Sequence, residues 1–258
     1  MPKKYNMNDM SWPEIAESLK ENDIVLVPVG STEEHGLHLP ISTDSLIPIE
    51  LCKILAEKLG ALVGPPIYTG VSPYHMPWPG TITLKENTLI ELIKDYCTSL
   101  AAHGFKKIIL VSEHGGNLPA VKVATRQLTT ELHPVKIIPI EPTDFLDKNE
   151  FSKYYGLSGG AHANAYETAT ILSIRPDLVN MDKAAAEWPK KFIDAMEKGM
   201  DHMLFIKLLI TTVKTNKELT ESGTFGDPTK AHELVDVKNG AQMQRSCERM
   251  LKVLEQIL

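Results

Sequence analysis

Apolar runs of two kinds alternate through the first half of this chain, and they predict two kinds of element. Residues 24–29 and 108–111 are continuous apolar runs of strand length, 61–63 is a short third, and 135–140, broken by Lys136, reads as a further strand. Continuous hydrophobicity is what a strand shows when both faces of its sheet are covered. Between these runs lie stretches of helical period. Ser11-Trp12-Pro13-Glu14 has the spacing of a capping box and opens a short helix that fades near Asn22. Thr43 or Asp44 can cap a second helix, whose apolar positions Leu46, Ile49, Leu55 and Leu59 lead to Gly60 as a stop. Thr83-Leu84-Lys85-Glu86 repeats the box signature ahead of Leu89, Leu92, Ile93, Tyr96 and Leu100, one face of a helix that ends at Gly104. Residues 119–132 read as a further helix. Strands alternating with helices of about ten residues or more predict an α/β fold, its sheet mostly parallel and covered on both faces.

The second half is less regular. Gly159-Gly160-Ala161 precedes a helix over 162–174, residues 181–200 read as helical, 208–213 as a strand and 220–228 as a glycine-containing loop. A terminal helix over 237–258 carries Val237, Ala241, Met250, Leu254 and Leu258 on one stripe. With no repeat, low-complexity tract or linker, residues 1–258 are expected to form one domain.

Composition narrows the class without choosing a function. The 258 residues are 43% hydrophobic and 23% charged, a globular balance that argues against disorder. The net charge of -6 is spread along the chain, so nothing points to a nucleic-acid partner. Cys52, Cys97 and Cys247 stand far apart inside apolar helical patterns, which reads as buried thiols in a reducing compartment. The opening Met1-Pro2-Lys3-Lys4 shows no secretory signal, and no apolar run approaches the roughly 20 residues of a membrane span. A soluble, cytoplasmic protein is expected.

Chemistry concentrates where the first long strand ends. Gly30-Ser31-Thr32-Glu33-Glu34-His35-Gly36-Leu37-His38-Leu39-Pro40, closed by Asp44, packs imidazole and carboxylate into one loop. Loops at the carboxyl ends of parallel strands are where side chains of an α/β protein converge. A catalytic divalent ion wants nitrogen and oxygen ligands with one position left open. Glu33 and His35 share a face if the segment is extended, and Asp44 stands where a carboxylate can bridge two ions. The lack of thiolates favours Zn²⁺, Mn²⁺ or Fe²⁺ in a catalytic site over a structural zinc. His114 follows the second long strand at the same sheet edge, and Gly115 and Gly116 leave room beside it. Glu113 competes with it, since adjacent strand residues point opposite ways. In the third segment, Gly159-Gly160-Ala161-His162-Ala163-Asn164-Ala165-Tyr166-Glu167-Thr168, His162 and Glu167 lie about 140° apart round a regular helix. They converge only if His162 sits in the cap. Each segment alone also has a bland reading: polar loop chemistry, a turn histidine, a capping histidine with a solvated Glu.

In this order the segments resemble the creatininase family, the creatinine amidohydrolase-like metallohydrolases. The resemblance rests on residues 30–44, on Pro79-Gly80-Thr81-Ile82-Thr83-Leu84 with His75 upstream, on 114–117 and on 162–168. Gly223-Thr224-Phe225-Gly226-Asp227-Pro228 adds a further stretch. The resemblance implies a three-layer α/β/α sandwich, a centre of two divalent ions (Zn, Mn or Fe), and a homo-oligomer, often a hexamer. It also implies hydrolysis of an amide C–N bond in a small-molecule substrate by a metal-activated water. Glu33, His35, Asp44 and His114 match the family's ligand positions, Asp44 as the bridge, and Glu167 matches an acidic position used as the remaining ligand. His162 matches the acid/base position, the group that protonates the leaving nitrogen. His75, Trp78 and Ser158 are candidates for the substrate pocket, with a structural role equally open for His75 and His38.

Departures bear on the substrate. Gly116 stands where the namesake enzyme has an acidic ligand, Ser158 where it has a tryptophan, and Ser112-Glu113 and Asn164 replace other residues common among relatives. They argue against creatinine itself and leave open a formamide, a precursor peptide or an oxidised inositol, all substrates of relatives. A non-catalytic metal-binding sensor of a small ligand with the same fold is the alternative from another class. A nucleotide-binding reading is weakened, because Gly115-Gly116-Asn117 lacks both the Gly-x-Gly-x-x-Gly spacing and a P-loop lysine.

Overall fold

Every residue of β1 (Ile24–Pro28) is buried, as are four of the five in β3 (Lys107–Val111). The two strands pair in parallel, Ile24 opposite Lys107 and Pro28 opposite Val111. β2 (Leu62–Val63) flanks β1 and β4 (Lys136–Ile140) flanks β3. The result is a four-stranded parallel sheet of order β2-β1-β3-β4 in the computed structural model, which describes residues 4–155, 160–200 and 202–258. The helices are α1 (Trp12–Glu21), α2 (Thr43–Leu59), α3 (Glu86–His103), α4 (Leu118–Glu131) and α5 (Lys148–Tyr155), then α6 (Ala165–Ile174), α7 (Lys190–Glu197), α8 (His202–Ile210), α9 (Val235–Lys238) and α10 (Ala241–Ile257).

The period of two along a strand divides the strand side chains between two cores. Val25, Val27, Ile108 and Leu110 pack on one face against Leu89 and Ile93 of α3 and Val121 and Leu128 of α4. Leu26, Ile109 and Val111 pack on the other against Ile47, Leu51 and Leu55 of α2 and Met250 and Leu254 of α10. Two cores separated by one sheet make the three-layer α/β/α arrangement. Each fully buried Val, Leu or Ile contributes about 1.5–3 kcal/mol by leaving water, so the two central strands anchor both cores.

Several boundaries depart from the sequence pattern. The Ser11 box forms, with the Ser11 N–H donating to Glu14 Oε2 at 2.7 Å. The Thr83 box does not: α3 has Lys85 at its N-cap, and Thr83 Oγ1 instead accepts the Ser72 N–H at 2.8 Å. A long-range partner took the hydroxyl the box needed. Neither Thr43 nor Asp44 caps α2, whose N-cap is Ser42; both lie in its first turn. Residues 181–200 are not one helix but a 3-10 turn (Met181–Lys183), an extended link and α7, because Glu187 bridges to Gly226. Residues 208–213, expected as a strand, carry the end of α8. A short apolar run does not distinguish strand from helix by period, and here Ile206 and Leu209 join Phe192 and Phe225 in a small cluster of their own. The terminal helix is interrupted, since Gly240 at φ 78° separates α9 from α10. Unforeseen α5 is tied to α10 by Glu150, which pairs with Arg249 and, at 2.8 Å, with Arg245. The three cysteines are free and buried. No helix among the described residues is long and apolar enough to cross a membrane.

Candidate metal centre

Parallel pairing of β1 with β3 sends both following loops out side by side at the carboxyl edge of the sheet. Asn117 fastens a third loop to them, its Oδ1 accepting the Val71 N–H and its Nδ2 donating to Gly30 O, each at 2.9 Å. On this frame Asp44, in the first turn of α2, lies between two imidazoles. Its Oδ1 is 3.1 Å from His35 Nε2 and its Oδ2 is 2.9 Å from His114 Nδ1. The opposite nitrogen of each ring meets a backbone carbonyl: His35 Nδ1 lies 3.1 Å from Glu33 O and His114 Nε2 2.9 Å from Val71 O. A carbonyl acceptor behind a histidine fixes its tautomer and turns the free nitrogen to the centre, the support that metal-ligating histidines use.

Two ligand triangles share Asp44. Glu33, Asp44 and His114 offer atoms all within 4.8 Å of one another, and so do His35, Asp44 and Glu167. Glu33 Oε2 is buried without a hydrogen-bond partner among the described residues, and Asp44 Oδ2 meets no donor there other than the His114 ring. Buried carboxylate oxygens are costly to leave unpaired, so these atoms fit a cation, and an all-nitrogen-and-oxygen donor set suits zinc, manganese or iron. Burial opposes charge throughout the cluster. Even so, His35 and His114 hold the Asp44 carboxyl well below its ordinary range. Against the same burial, Asp44 pushes His35 up to about 10, and Glu33 with Asp44 pushes His114 up to about 9. Protons stand where cations would, so an incoming ion must displace them, and its affinity falls as pH falls.

The third segment reaches the centre through a tight turn. Ala163 has φ 48° and Asn164 caps α6, its Oδ1 accepting the Glu167 N–H at 3.0 Å while Glu167 Oε2 accepts the Asn164 N–H at 3.1 Å. His162 therefore precedes the helix, and its side chain and that of Glu167 come to the same cluster despite their angular separation on a regular helix. His162 Nε2 donates to Glu34 O at 2.8 Å, leaving Nδ1 3.6 Å from Glu33 Oε1.

The remaining candidates fall around this core. His75 is buried with Nδ1 2.5 Å from Glu34 Oε1, and half-buried Trp78 lies beside it, ring centroids 6.2 Å apart. Ser158 lies outside the described residues. His38 turns away to Thr168 Oγ1 at 2.8 Å, and burial, then His35 and His162, push it down to about 4, so it is neutral. Glu113 joins neither triangle. Its carboxyl oxygens are buried and unpartnered among the described residues, and burial together with Glu167 pushes it up to about 8. Gly116 takes no carboxylate here, because a Cβ would land on Val71 O.

Sequence reasoning passed over Glu34 and Asn216. Glu34 sits inside the motif but carries no assignment there. Its Oε1 meets His75 and His162, its Oε2 accepts the Gly36 N–H at 3.0 Å, and its backbone N–H donates to Thr81 Oγ1 at 3.1 Å. Gly223, at φ 88°, lies against it, and a Cβ there would collide with Glu34 Oε2. Gly223→Ala is expected to lower stability by more than the roughly 1–2 kcal/mol of a left-handed alanine, a shift that a urea titration reads directly.

A parallel sheet carrying a buried carboxylate–imidazole cluster at its carboxyl edge defines an α/β protein with a candidate metal centre. The chain belongs to the creatininase family: the profile described as Creatininase, creatinine amidohydrolase, matches residues 8–251. It is 30% identical over 208 residues to the creatinine amidohydrolase of Pseudomonas putida, covering 74% of this chain and 80% of that one. It is 29% identical over 235 residues to a mycofactocin precursor peptide peptidase of Mycolicibacterium smegmatis, covering 89% and 84%. A solved manganese creatininase superposes with a TM-score of 0.75 at 23% identity, over 98% of each chain, which establishes the common fold.

Proposed function

We propose that this protein hydrolyses the amide C–N bond of a small polar substrate other than creatinine, using two divalent ions. Zinc, manganese and iron are the candidates. Glu33, Asp44 and His114 would hold one ion and His35, Asp44 and Glu167 the other. The observation that carries this reading is Asp44, whose two oxygens face two different imidazoles at 3.1 and 2.9 Å. Ions bound there supply Lewis acidity toward the amide carbonyl and acidify water toward neutrality.

The chain supplies the proton chemistry. With Nε2–H committed to Glu34 O, His162 turns Nδ1 toward the centre. Against burial, Glu34 pushes the ring up to about 9, so it is protonated at neutral pH and able to protonate a departing nitrogen at Nδ1. His75 and Trp78 stand beside it, where a substrate approaches. The relatives' names, an amidohydrolase and a peptide peptidase, support C–N cleavage, and the loss of an acidic side chain at Gly116 supports a substrate other than creatinine. Buried free thiols support a cytoplasmic protein, and exposed Ile193 and Leu208 on α7 and α8 support a homo-oligomer, a hexamer by family resemblance, of one-domain subunits.

The test is turnover of a panel of cyclic amides, formamides and short peptides after loading with manganese or zinc. At least one class should be hydrolysed. Full two-ion occupancy with no turnover across the panel would instead identify a ligand sensor.

A further inference from the structure

The side of His162 turned away from Asp44 ends in another ligand-spaced cluster. Glu34, His75 and His162 offer atoms within 4.8 Å of one another. Glu34 Oε1 lies 2.5 Å from His75 Nδ1 and 3.2 Å from His162 Nε2, and the two rings have centroids 4.4 Å apart. Both imidazoles thus aim a nitrogen at one carboxylate oxygen. The carboxylate is held in place by the Gly36 N–H on Oε2 and by Gly223 packed against it. Two imidazoles and one carboxylate make a zinc-binding composition.

Asn216 adds an independent sign. Its Nδ2 lies 2.8 Å from His75 Nε2, while its buried Oδ1 has no hydrogen-bond partner among the described residues. With a cation on Nδ1, the His75 proton resides on Nε2, and the amide presents Oδ1 to accept it. Turning an amide end over costs no space, and it gives the orphaned oxygen its partner.

We propose that Glu34, His75 and His162 form a third metal site, of the zinc class, that inhibits the enzyme when filled. It is weaker than the pair at Asp44, because it has one carboxylate where the pair has three, and because His162 must give up its bond to Glu34 O. It therefore fills only when zinc is in excess. A cation on Nε2 stops the ring from cycling a proton at Nδ1 near neutral pH. The inhibition rests on the proton role given to His162 above; the site itself does not.

Equilibrium dialysis against rising free zinc, with ions per chain measured by mass spectrometry, tests the site. Wild type is expected to pass from two ions to three, and turnover to fall at least tenfold over the same range. Glu34→Gln, which keeps the shape of the side chain, and His75→Gln are each expected to stop at two. A crystal grown in excess zinc should show an anomalous peak about 2.0–2.1 Å from His75 Nδ1, a readout that needs no variant. Wild type stopping at two ions, or Glu34→Gln binding three, overturns the site. Three ions with turnover undiminished overturns the inhibition. Asp44→Asn empties the pair but keeps the zinc that Glu34→Gln removes, so failure of the two-ion reading and failure of this one give different results.

Discussion

Asp44→Asn is expected to strip both ions from the protein and lower kcat/KM by more than about a hundredfold. Even partners standing behind a metal ligand cost about 10–100-fold when removed, and Asp44 is the one residue common to both ligand triangles. An amide keeps one oxygen but loses the second acceptor and the negative charge, so the half facing His35 or the half facing His114 goes without. The buried imidazoles then lack their counter-charge and lose their protons, which lets the variant fold. Metal content after dialysis, read beside turnover at saturating manganese, checks this. Full occupancy in both Asp44→Asn and His114→Ala would remove these residues from the ligand set.

His162→Asn separates proton transfer from metal binding. General acid–base groups contribute about 10²–10⁴-fold, so kcat should fall by that factor while the two ions stay in place. Steady-state kinetics on a substrate found in the panel, with metal content measured on the same sample, reads both quantities. The alkaline limb of the wild-type pH profile should vanish with the ring, because His162 must be protonated to act. Loss of an ion in this variant would show instead that the ring is a metal ligand alongside Glu33 and His35, with which it also shares ligand spacing.

Much of the fold was legible because the strand signal is local. Continuous burial of residues 24–28 and 108–111 is written in runs of Ile, Val and Leu, with Pro28 closing the first, and parallel pairing follows from the helices between. The late apolar run at 208–213 was not legible. Its period is ambiguous, and the choice of helix was made by contacts with Phe192 and Phe225. The same holds for Thr83, whose capping signature is complete in sequence but whose hydroxyl is taken by the Ser72 N–H.

The candidate site divides in the same way. Residue types and their order by themselves determined a nitrogen-and-oxygen centre at the carboxyl edge of a parallel sheet, since loop chemistry after a buried strand has nowhere else to gather. Only the tertiary structure decided which carboxylates meet. It brought Glu167 to His35 and Asp44, kept Glu113 out of both triangles, barred a side chain from Gly116, and joined Glu34 to His75 and His162 across long stretches of chain. The reason is physical. Period and capping are properties of a few neighbouring residues, whereas the direction of a side chain at a loop end depends on strand register, on a left-handed turn at Ala163 and on hydrogen bonds from remote segments.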